Sequence, residues 1–307
     1  MHSNSMAIQG CFLWPQKTVD FLLLEMGQEQ VSLSALCTMS SSSSFFSGIG
    51  TAELAWQVIG NALRARGVPF HMRNEFVCEK DGDCQSLLLT QPVQHVFSDI
   101  CGAVPLLVDM DEGATFEHNL NAIMASPICT TVWCLRCSQY CFMGPSQVDT
   151  SGFPCQDFSR GGLQLGRNGG RIHLVLIWIR WHMVWETPVI IHENVPQFDL
   201  DIIMSMMSNT YHVFAVECSP EDVGFSICRR TRMYVAMLHR NKLRVLFNPE
   251  IMFRRLCAFS GFAVHLWIKL SWLTWRRSCI GNREGYRCPS KACCDMGDHG
   301  ALRGWGY

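Results

Sequence analysis

Between residues 45 and 245, short apolar runs alternate with stretches of helical periodicity. The strand-like runs are FFSGIG, HMRNEFVCEKD, VQHVFSDI, QVDTSGFPCQ, TPVIIHENV, YHVFAVECS and RMYVAMLH, and the helix-like stretches are TAELAWQVIGNALRARG, CQSLLL and DLDIIMSMMSNT. Strands that alternate with helices indicate an α/β fold built on an open, mostly parallel sheet. Several of these runs end in polar residues, and such sheets bind ligands at the carboxyl ends of their strands.

The pattern divides the chain into three parts. Residues 1–44 are poorly patterned and end in the run SSSSS, which we interpret as a leader and a serine-rich linker. Residues 45–245 form the predicted domain, and residues 246–307 form a basic tail rich in cysteine and tryptophan. The most apolar windows, IHLVLIWIRWHMVW and FAVHLWIKLSWLTW, are interrupted by charge and too short to span a bilayer. We therefore predict no membrane segment and expect buried strands or helices there.

Charge and cysteine usage add a partner class and a compartment. The formal net charge is −1, but residues 226–307 carry 15 Lys and Arg against 4 Asp and Glu, so the rest of the chain is acidic. A protein that meets a polyanion with one face has such a distribution, although a solvated basic tail would have it too. The N-terminus lacks a signal-peptide pattern and there are 17 cysteines. We therefore expect reduced thiols inside the cell, in the nucleus if the organism is eukaryotic.

Three strand ends carry candidate cofactor residues. Phe46, Gly48 and Gly50 lie where a strand turns into a helix, and Glu79 and Asp99 end the next two strands. An acid in these places accepts hydrogen bonds from ribose hydroxyls or an adenine amino group. Each feature alone also fits a plain turn or a helix N-terminus. Together, without a phosphate-binding P-loop sequence, they suggest an adenosine cofactor.

Further motifs extend this set into a family resemblance. The stretches are FSGIGT, CEKDGDCQ, SDI, GFPCQDFS, HENVPQF and CRRTRMYV, in that order. They resemble the motifs of the cytosine-5 DNA methyltransferases, with Pro154, Cys155 and Gln156 in the Pro-Cys-Gln loop. The resemblance implies a Rossmann-like S-adenosylmethionine-dependent methyltransferase fold, with a mostly parallel sheet and helices on both faces.

The resemblance also implies a reaction. Carbon 5 of cytosine is a poor nucleophile, and addition of a thiolate at carbon 6 makes the ring an enamine that attacks a sulfonium methyl group. Cys155 matches the family's thiolate, Glu193 its acid at ring nitrogen 3, and Asn194 the residue that braces the loop. Arg230 and Arg232 match the arginines at the ring's carbonyl oxygen.

The cofactor and the substrate follow from the same family. S-adenosylmethionine would lie with its methionine end at Phe46, Gly48 and Gly50, its ribose at Glu79 and its adenine at Asp99. The target base would leave the duplex to reach the site. The expected enzyme is a DNA (cytosine-5-)-methyltransferase. Alternatives are methylation of tRNA cytosine and a catalytically weakened relative that binds nucleic acid.

Two features depart from the family. The arginine motif, GFSICRRTR, lacks the usual Pro and Gln and is one residue longer. The chain after it shows no convincing returning helix, so we predict a target-recognition region that is short or missing and a partner that could supply recognition. The basic, Trp-rich tail could still bind phosphates and stack on bases.

Two cysteine groups raise the question of a metal. The first contains Cys129, Cys134, Cys137 and Cys141, and the second lies in the tail at Cys279, Cys288, Cys293 and Cys294. Only Cys134 and Cys137 have C-x-x-C spacing, and no second such pair follows. We therefore assign no metal to the site, and zinc at either group stays an alternative.

Overall fold

The computed structural model describes residues 14–28, 41–104, 114–220 and 230–243. The helices are α1 Trp14–Gln28, α2 Thr51–Arg64, α3 Gly82–Leu88, α4 Phe116–Ala125, α5 Ile172–Trp185 and α6 Leu200–Met207. The strands are β1 Ser41–Phe45, β2 Arg73–Cys78, β3 His95–Phe97, β4 Thr131–Cys134, β5 Gln139–Phe142, β6 Val148–Gly152, β7 Val189–Asn194, β8 Tyr211–Cys218 and β9 Arg232–His239. The predicted tail, 246–307, and its cysteine group lie outside the described residues.

The strands form one mixed sheet in the order β5-β4-β3-β2-β1-β6-β7-β9-β8. The central pairs β3–β2, β2–β1, β1–β6 and β6–β7 are parallel, whereas β4, β5 and β9 run antiparallel to their neighbours. The chain moves outward from β1 to one side through β2 and β3, and then to the other side through β6 and β7. This is a Rossmann-like doubly wound α/β fold, and its topological switch point lies between β1 and β6.

Helices cover both faces of the central strand β1. Neighbouring side chains on a strand point to opposite faces. The Phe45 ring packs edge-on against Trp181 of α5 at 5.7 Å, while the Ser44 hydroxyl donates to Glu53 Oε1 of α2 at 2.5 Å. The prediction of helices on both faces of a mostly parallel sheet is confirmed.

The serine run is not a linker. Ser41–Phe45 is the fully buried strand β1 at the centre of the sheet. The serine hydroxyls are tolerated there because they have partners: Ser42 donates to Asn74 Oδ1 at 2.7 Å and Ser43 to Asp149 Oδ2 at 2.8 Å. A low-complexity serine sequence suggested a solvated chain, but each hydroxyl is satisfied by a neighbouring element. The interpretation of this run as a linker is therefore wrong.

Part of the predicted leader is also structured. Helix α1 packs against α2, where Val19 is buried with Leu63 and Phe70. An ion pair between Asp20 and Arg66 supports the same contact. The apolar window at 172–185 is the buried helix α5. Among the described helices, none has the length and hydropathy needed to cross a membrane.

Candidate active site

The predicted site residues meet at one edge of the sheet. The parallel strands β1, β2, β3, β6 and β7 all end there, and the antiparallel strand β9 begins there. The predicted residues follow or occupy these ends: Phe46, Gly48, Gly50, Glu79, Asp99, Cys155, Glu193 and Arg232. Sequence positions far apart are thus brought to the same edge of the sheet by strand direction alone.

The glycine turn after β1 contacts the acid after β2. Gly48 and Gly50 have φ values of 54° and 79°, in the left-handed region that the predicted tight turn requires. The backbone N–H of Gly48 donates to Glu79 Oε2 at 2.7 Å. The other oxygen of Glu79 accepts from the N–H groups of Lys80 and Asp81 at 2.8 and 2.9 Å. The structure therefore joins the first two predicted cofactor motifs.

Asp99 is linked to the contact between Gly48 and Glu79 through Lys80, the residue after Glu79, to which the motif analysis gave no role. The Lys80 ammonium lies 3.1 Å from Asp99 Oδ2, and the N–H of Cys101 donates to Asp99 Oδ1 at 2.9 Å. Partial burial works to raise the pKa of Asp99, but these two partners outweigh it, so its pKa lies below the ordinary value. The carboxylate is thus held as an ionised acceptor.

The loop that follows β6 carries Cys155, which is half-buried. The Cys155 carbonyl accepts from the N–H groups of Phe158 and Ser159 at 3.0 and 2.7 Å, so a helical turn starts at the thiol. The Gln156 carbonyl accepts from Leu163 N–H at 3.0 Å. Gly162 permits this closure, because a Cβ there would lie 1.9 Å from the Gln156 oxygen. The Pro-Cys-Gln loop is therefore closed by its own backbone.

Glu193 lies at the end of β7, next to the origin of the cysteine loop. It is the register partner of Gly152, the last residue of β6, and Cys155 lies three residues further on. On the other side Glu193 pairs with Tyr234 of β9. Arg232, at the start of β9, holds Glu193 through its Nε at 2.7 Å from Oε1. Burial first, and then the Glu193 charge, raise the pKa of Tyr234.

A cavity of about 630 Å³ opens beside this ion pair. Its lining residues are Phe46, Ser47, Thr51, Ala52, Thr150, Ser151, Gly152, Glu193, Cys218, Ser219, Pro220, Arg230, Arg232 and Tyr234. The structure thus brings Phe46, Glu193 and both predicted arginines together around one space. Cys155, Glu79 and Asp99 are not among the described residues that line it.

Asn194 and His192 flank the acid and point into the protein. Asn194 is buried; its Oδ1 accepts from Val195 N–H at 2.8 Å, and its Nδ2 has no partner within the described part of the chain. The contact by which Asn194 would brace the cysteine loop stays a prediction. His192 is fully buried, 4.2 Å from the Phe153 ring centroid, and burial lowers its pKa to about 3. It supports the loop as an uncharged ring.

The two acids that follow β2 and β3 fit the cofactor. The Glu79 carboxylate is fixed beside the glycine turn, and Asp99 is ionised and only partly buried, so both oxygens can accept from ribose hydroxyls or an amino group. Lys80 and Tyr234 lie inside the quoted stretches CEKDGDCQ and CRRTRMYV, but sequence reasoning gave them no role, because their contacts are with residues of neighbouring strands.

Comparisons with known proteins give a family resemblance for part of the chain. Residues 146–254 match the family model for C-5 cytosine-specific DNA methylase, a family that uses S-adenosylmethionine. No curated protein matches the sequence. Several solved structures are similar, and the chain spans about half of their length.

Three of these structures illustrate the range. The Dnmt2 methyltransferase of S. pombe has 14% identity and a TM-score of 0.41, over 70% of this chain and 54% of that one. The Entamoeba histolytica methyltransferase EhMeth has 17% identity and a TM-score of 0.40, over 69% of this chain and 57% of that one. A putative DNA modification methyltransferase of an E. coli prophage has 16% identity and a TM-score of 0.38, over 67% of this chain and 49% of that one. At such low scores these likenesses carry no argument about activity. By the family match, residues 146–254 are similar to the C-5 cytosine-specific DNA methylases.

Proposed function

We propose that this chain is a DNA (cytosine-5-)-methyltransferase that transfers a methyl group from S-adenosylmethionine to carbon 5 of cytosine through a covalent Cys155 adduct at carbon 6. The observation that carries the proposal is the ion pair between Glu193 and Arg232. It stands at the end of β7, beside the strand end from which the Cys155 loop departs. A carboxyl and a guanidinium fixed together at the origin of a cysteine loop supply the acid and the positive charge that addition to a cytosine ring requires.

The proposed chemistry assigns a step to each side chain. The Cys155 thiolate forms a bond to carbon 6, and the electrons of the 5,6 double bond become available at carbon 5. Glu193 would donate a proton from Oε2 to ring nitrogen 3 as the thiolate adds, and would take it back when the thiolate leaves, while its Oε1 accepts from Arg232. Carbon 5 would form a bond to the methyl carbon as the bond from that carbon to the sulfonium sulfur breaks and a neutral thioether leaves. A base would then remove the proton from carbon 5, and the thiolate would leave as the double bond reforms. Arg230, which lines the cavity, would contact the ring's carbonyl oxygen.

The cofactor would be held by the first three strand ends. Glu79 would accept from the ribose and Asp99 from the adenine, with Phe46, Gly48 and Gly50 at the methionine end. When bound, S-adenosylmethionine supplies the electrophilic methyl group. Lys80 keeps Asp99 ionised, which maintains an acceptor there. We also propose that the basic tail or a partner contributes target recognition, because residues 226–307 carry 15 Lys and Arg against 4 Asp and Glu, a charge that attracts a polyanion.

Methyl transfer from labelled cofactor tests the proposal. Purified chain should label cytosine in duplex DNA, and Cys155→Ala should abolish labelling while leaving cofactor binding unchanged. DNA that carries 5-fluorocytosine should form a covalent complex, because fluorine at carbon 5 cannot be removed as a proton is. Labelling that survives Cys155→Ala would refute the covalent mechanism.

The RNA alternative is tested in the same assay. The family resemblance includes a branch that methylates tRNA cytosine and has little recognition region, so duplex DNA and tRNA should be offered side by side. If tRNA is labelled and DNA is not, the substrate is tRNA rather than DNA. Cofactor binding in calorimetry without transfer to either polymer would instead support a catalytically weakened relative that binds nucleic acid.

A further inference from the structure

Four metal-binding side chains converge at the edge of the sheet. They are His95 at the start of β3, Cys134 at the end of β4, Cys137 in the following turn and Cys141 in β5. Their ligand atoms, one imidazole nitrogen and three sulfurs, all lie within 4.8 Å of one another. The site of methyl transfer uses none of them.

Strand register explains why these residues meet. Phe97 of β3 pairs with Cys134, and Val132 of β4 pairs with Cys141. Directly paired residues, and residues two apart on a strand, share one face of a sheet. His95 therefore lies on the same face as Cys134 and Cys141, although 39 residues separate His95 from Cys134 in the chain.

The turn between β4 and β5 brings in the fourth ligand and is anchored independently. The Arg136 guanidinium donates to the carbonyls of Leu89 and Gln91 at 2.9 and 2.8 Å. Leu135 N–H donates to the Val96 carbonyl at 2.7 Å. Ser138 adopts a φ of 52°, which reverses the chain immediately after Cys137. The C-x-x-C turn is thus held against β3 by contacts other than the thiols.

The two nitrogen–sulfur distances match tetrahedral zinc. His95 Nδ1 lies 3.6 Å from the sulfur of Cys134 and 3.6 Å from that of Cys137. Zn–S and Zn–N bonds of about 2.3 and 2.0–2.1 Å at tetrahedral angles give an N–S separation of about 3.6 Å. Cys129, which belonged to the sequence group, instead interacts with the Thr131 carbonyl at 3.0 Å.

We propose that His95, Cys134, Cys137 and Cys141 bind one Zn²⁺ ion in a closed Cys₃His site. Four protein ligands leave no open position, so the role is structural rather than catalytic. The ion would fasten the β4–β5 hairpin to β3, the strand that leads to Asp99.

Metal content of the full-length chain tests the site. Protein purified with zinc available should contain one Zn²⁺ ion more per chain than Cys137→Ser, Cys134→Ser or His95→Ala. The comparison is between variants, because cysteines in the tail could bind zinc of their own. The matched control is Cys129→Ser, a thiol from the same stretch that should retain the wild-type zinc content. Replacement by Co²⁺ should give thiolate-to-cobalt charge-transfer bands and the visible bands of tetrahedral cobalt, both weakened in Cys137→Ser.

Cys137 is an exposed ligand, so its substitution should leave the far-ultraviolet circular dichroism spectrum unchanged. This variant therefore separates loss of the metal from misfolding. Equal zinc content in wild type and Cys137→Ser would overturn the proposal. So would a disulfide among Cys134, Cys137 and Cys141, detected by mass spectrometry of protein purified under reducing conditions.

Discussion

Arg232 and Glu193 form the one charged contact in the described part of the cavity wall whose two partners come from neighbouring strands. Arg232 orients the carboxyl, and Glu193 presents its second oxygen to the space beside Gly152. The pair is separate from the Gly48, Glu79 and Lys80 group, so loss of either member should affect the reaction rather than cofactor binding.

We therefore expect Glu193→Gln to lower kcat for methyl transfer by about 100-fold or more, the range that a positioned acid or base contributes. Arg232→Lys should also lower kcat, because lysine cannot reproduce the guanidinium contact. S-adenosylmethionine affinity, measured by calorimetry, should stay within about threefold of wild type. Arg240→Lys, at the far end of β9, is the control and should leave kcat unchanged. A large loss of cofactor affinity in Glu193→Gln would contradict the separation of the two groups.

His192 makes stability depend on pH. Burial lowers its folded pKa to about 3, whereas the unfolded chain takes up the proton near 6.5. Below pH 6.5 the unfolded state binds more protons than the folded state, so the free energy of unfolding falls as pH falls. The contribution lost between pH 7 and pH 5 is about 2 kcal/mol.

His192→Phe should remove this part of the pH dependence, as measured by urea unfolding at pH 7 and pH 5. His118→Gln, at an exposed position of α4, should keep the wild-type difference. An unchanged difference in His192→Phe would mean that the imidazole is protonated inside the fold.

The loop after β6 shows how an element positions one residue. Its closure depends on Gly162, whose missing side chain lets the backbone approach the Gln156 carbonyl. Gly161, the residue before it, has open space where a Cβ would be. An alanine side chain would therefore clash with the loop backbone at Gly162 but not at Gly161.

Gly162→Ala should open the loop and lower the rate of methyl transfer at least tenfold, since small displacements of reacting groups cost orders of magnitude. Gly161→Ala should be close to wild type. Rates with labelled cofactor, together with thermal melting to confirm folding, make the comparison. Equal rates for the two variants would show that the loop does not need this closure.

Elements also show what could be predicted from sequence. Strands β2 and β7 and their polar ends were predictable because apolar residues there stop at polar ones, and that pattern requires no partner. Strand β1 was not, since Ser41–Ser44 looks solvated until Asn74, Asp149 and Glu53 are placed beside it. His95 was missed for the same reason: its relation to Cys134 exists only through strand register.

At the scale of the whole molecule, the sheet separates two chemistries along one edge. The cofactor acids follow β2 and β3, and the thiol, acid and arginines follow β6, β7 and the start of β9. The switch point between β1 and β6 lies between them. In the proposed reaction a nucleic acid would approach the second group, and the basic segment, residues 226–307, would attract its phosphates.

Binding to duplex DNA should therefore depend strongly on salt. Each phosphate neutralised contributes about −0.9 to the slope of log affinity against log salt concentration. We expect a slope corresponding to several phosphates, measured by fluorescence anisotropy with the full-length chain. A slope near zero would mean that the basic segment does not meet the backbone.

The buried serines of β1 have a consequence for how this sequence can diverge. Ser43 is bonded to Ser146 and Asp149, and Ser44 to Glu53, at the centre of the fold. An apolar residue at either position would leave a buried acceptor without a donor, so a single substitution is selected against while a paired one is tolerated. Relatives that replace Ser44 should also have replaced Glu53, and the two positions should co-vary as one inherited unit.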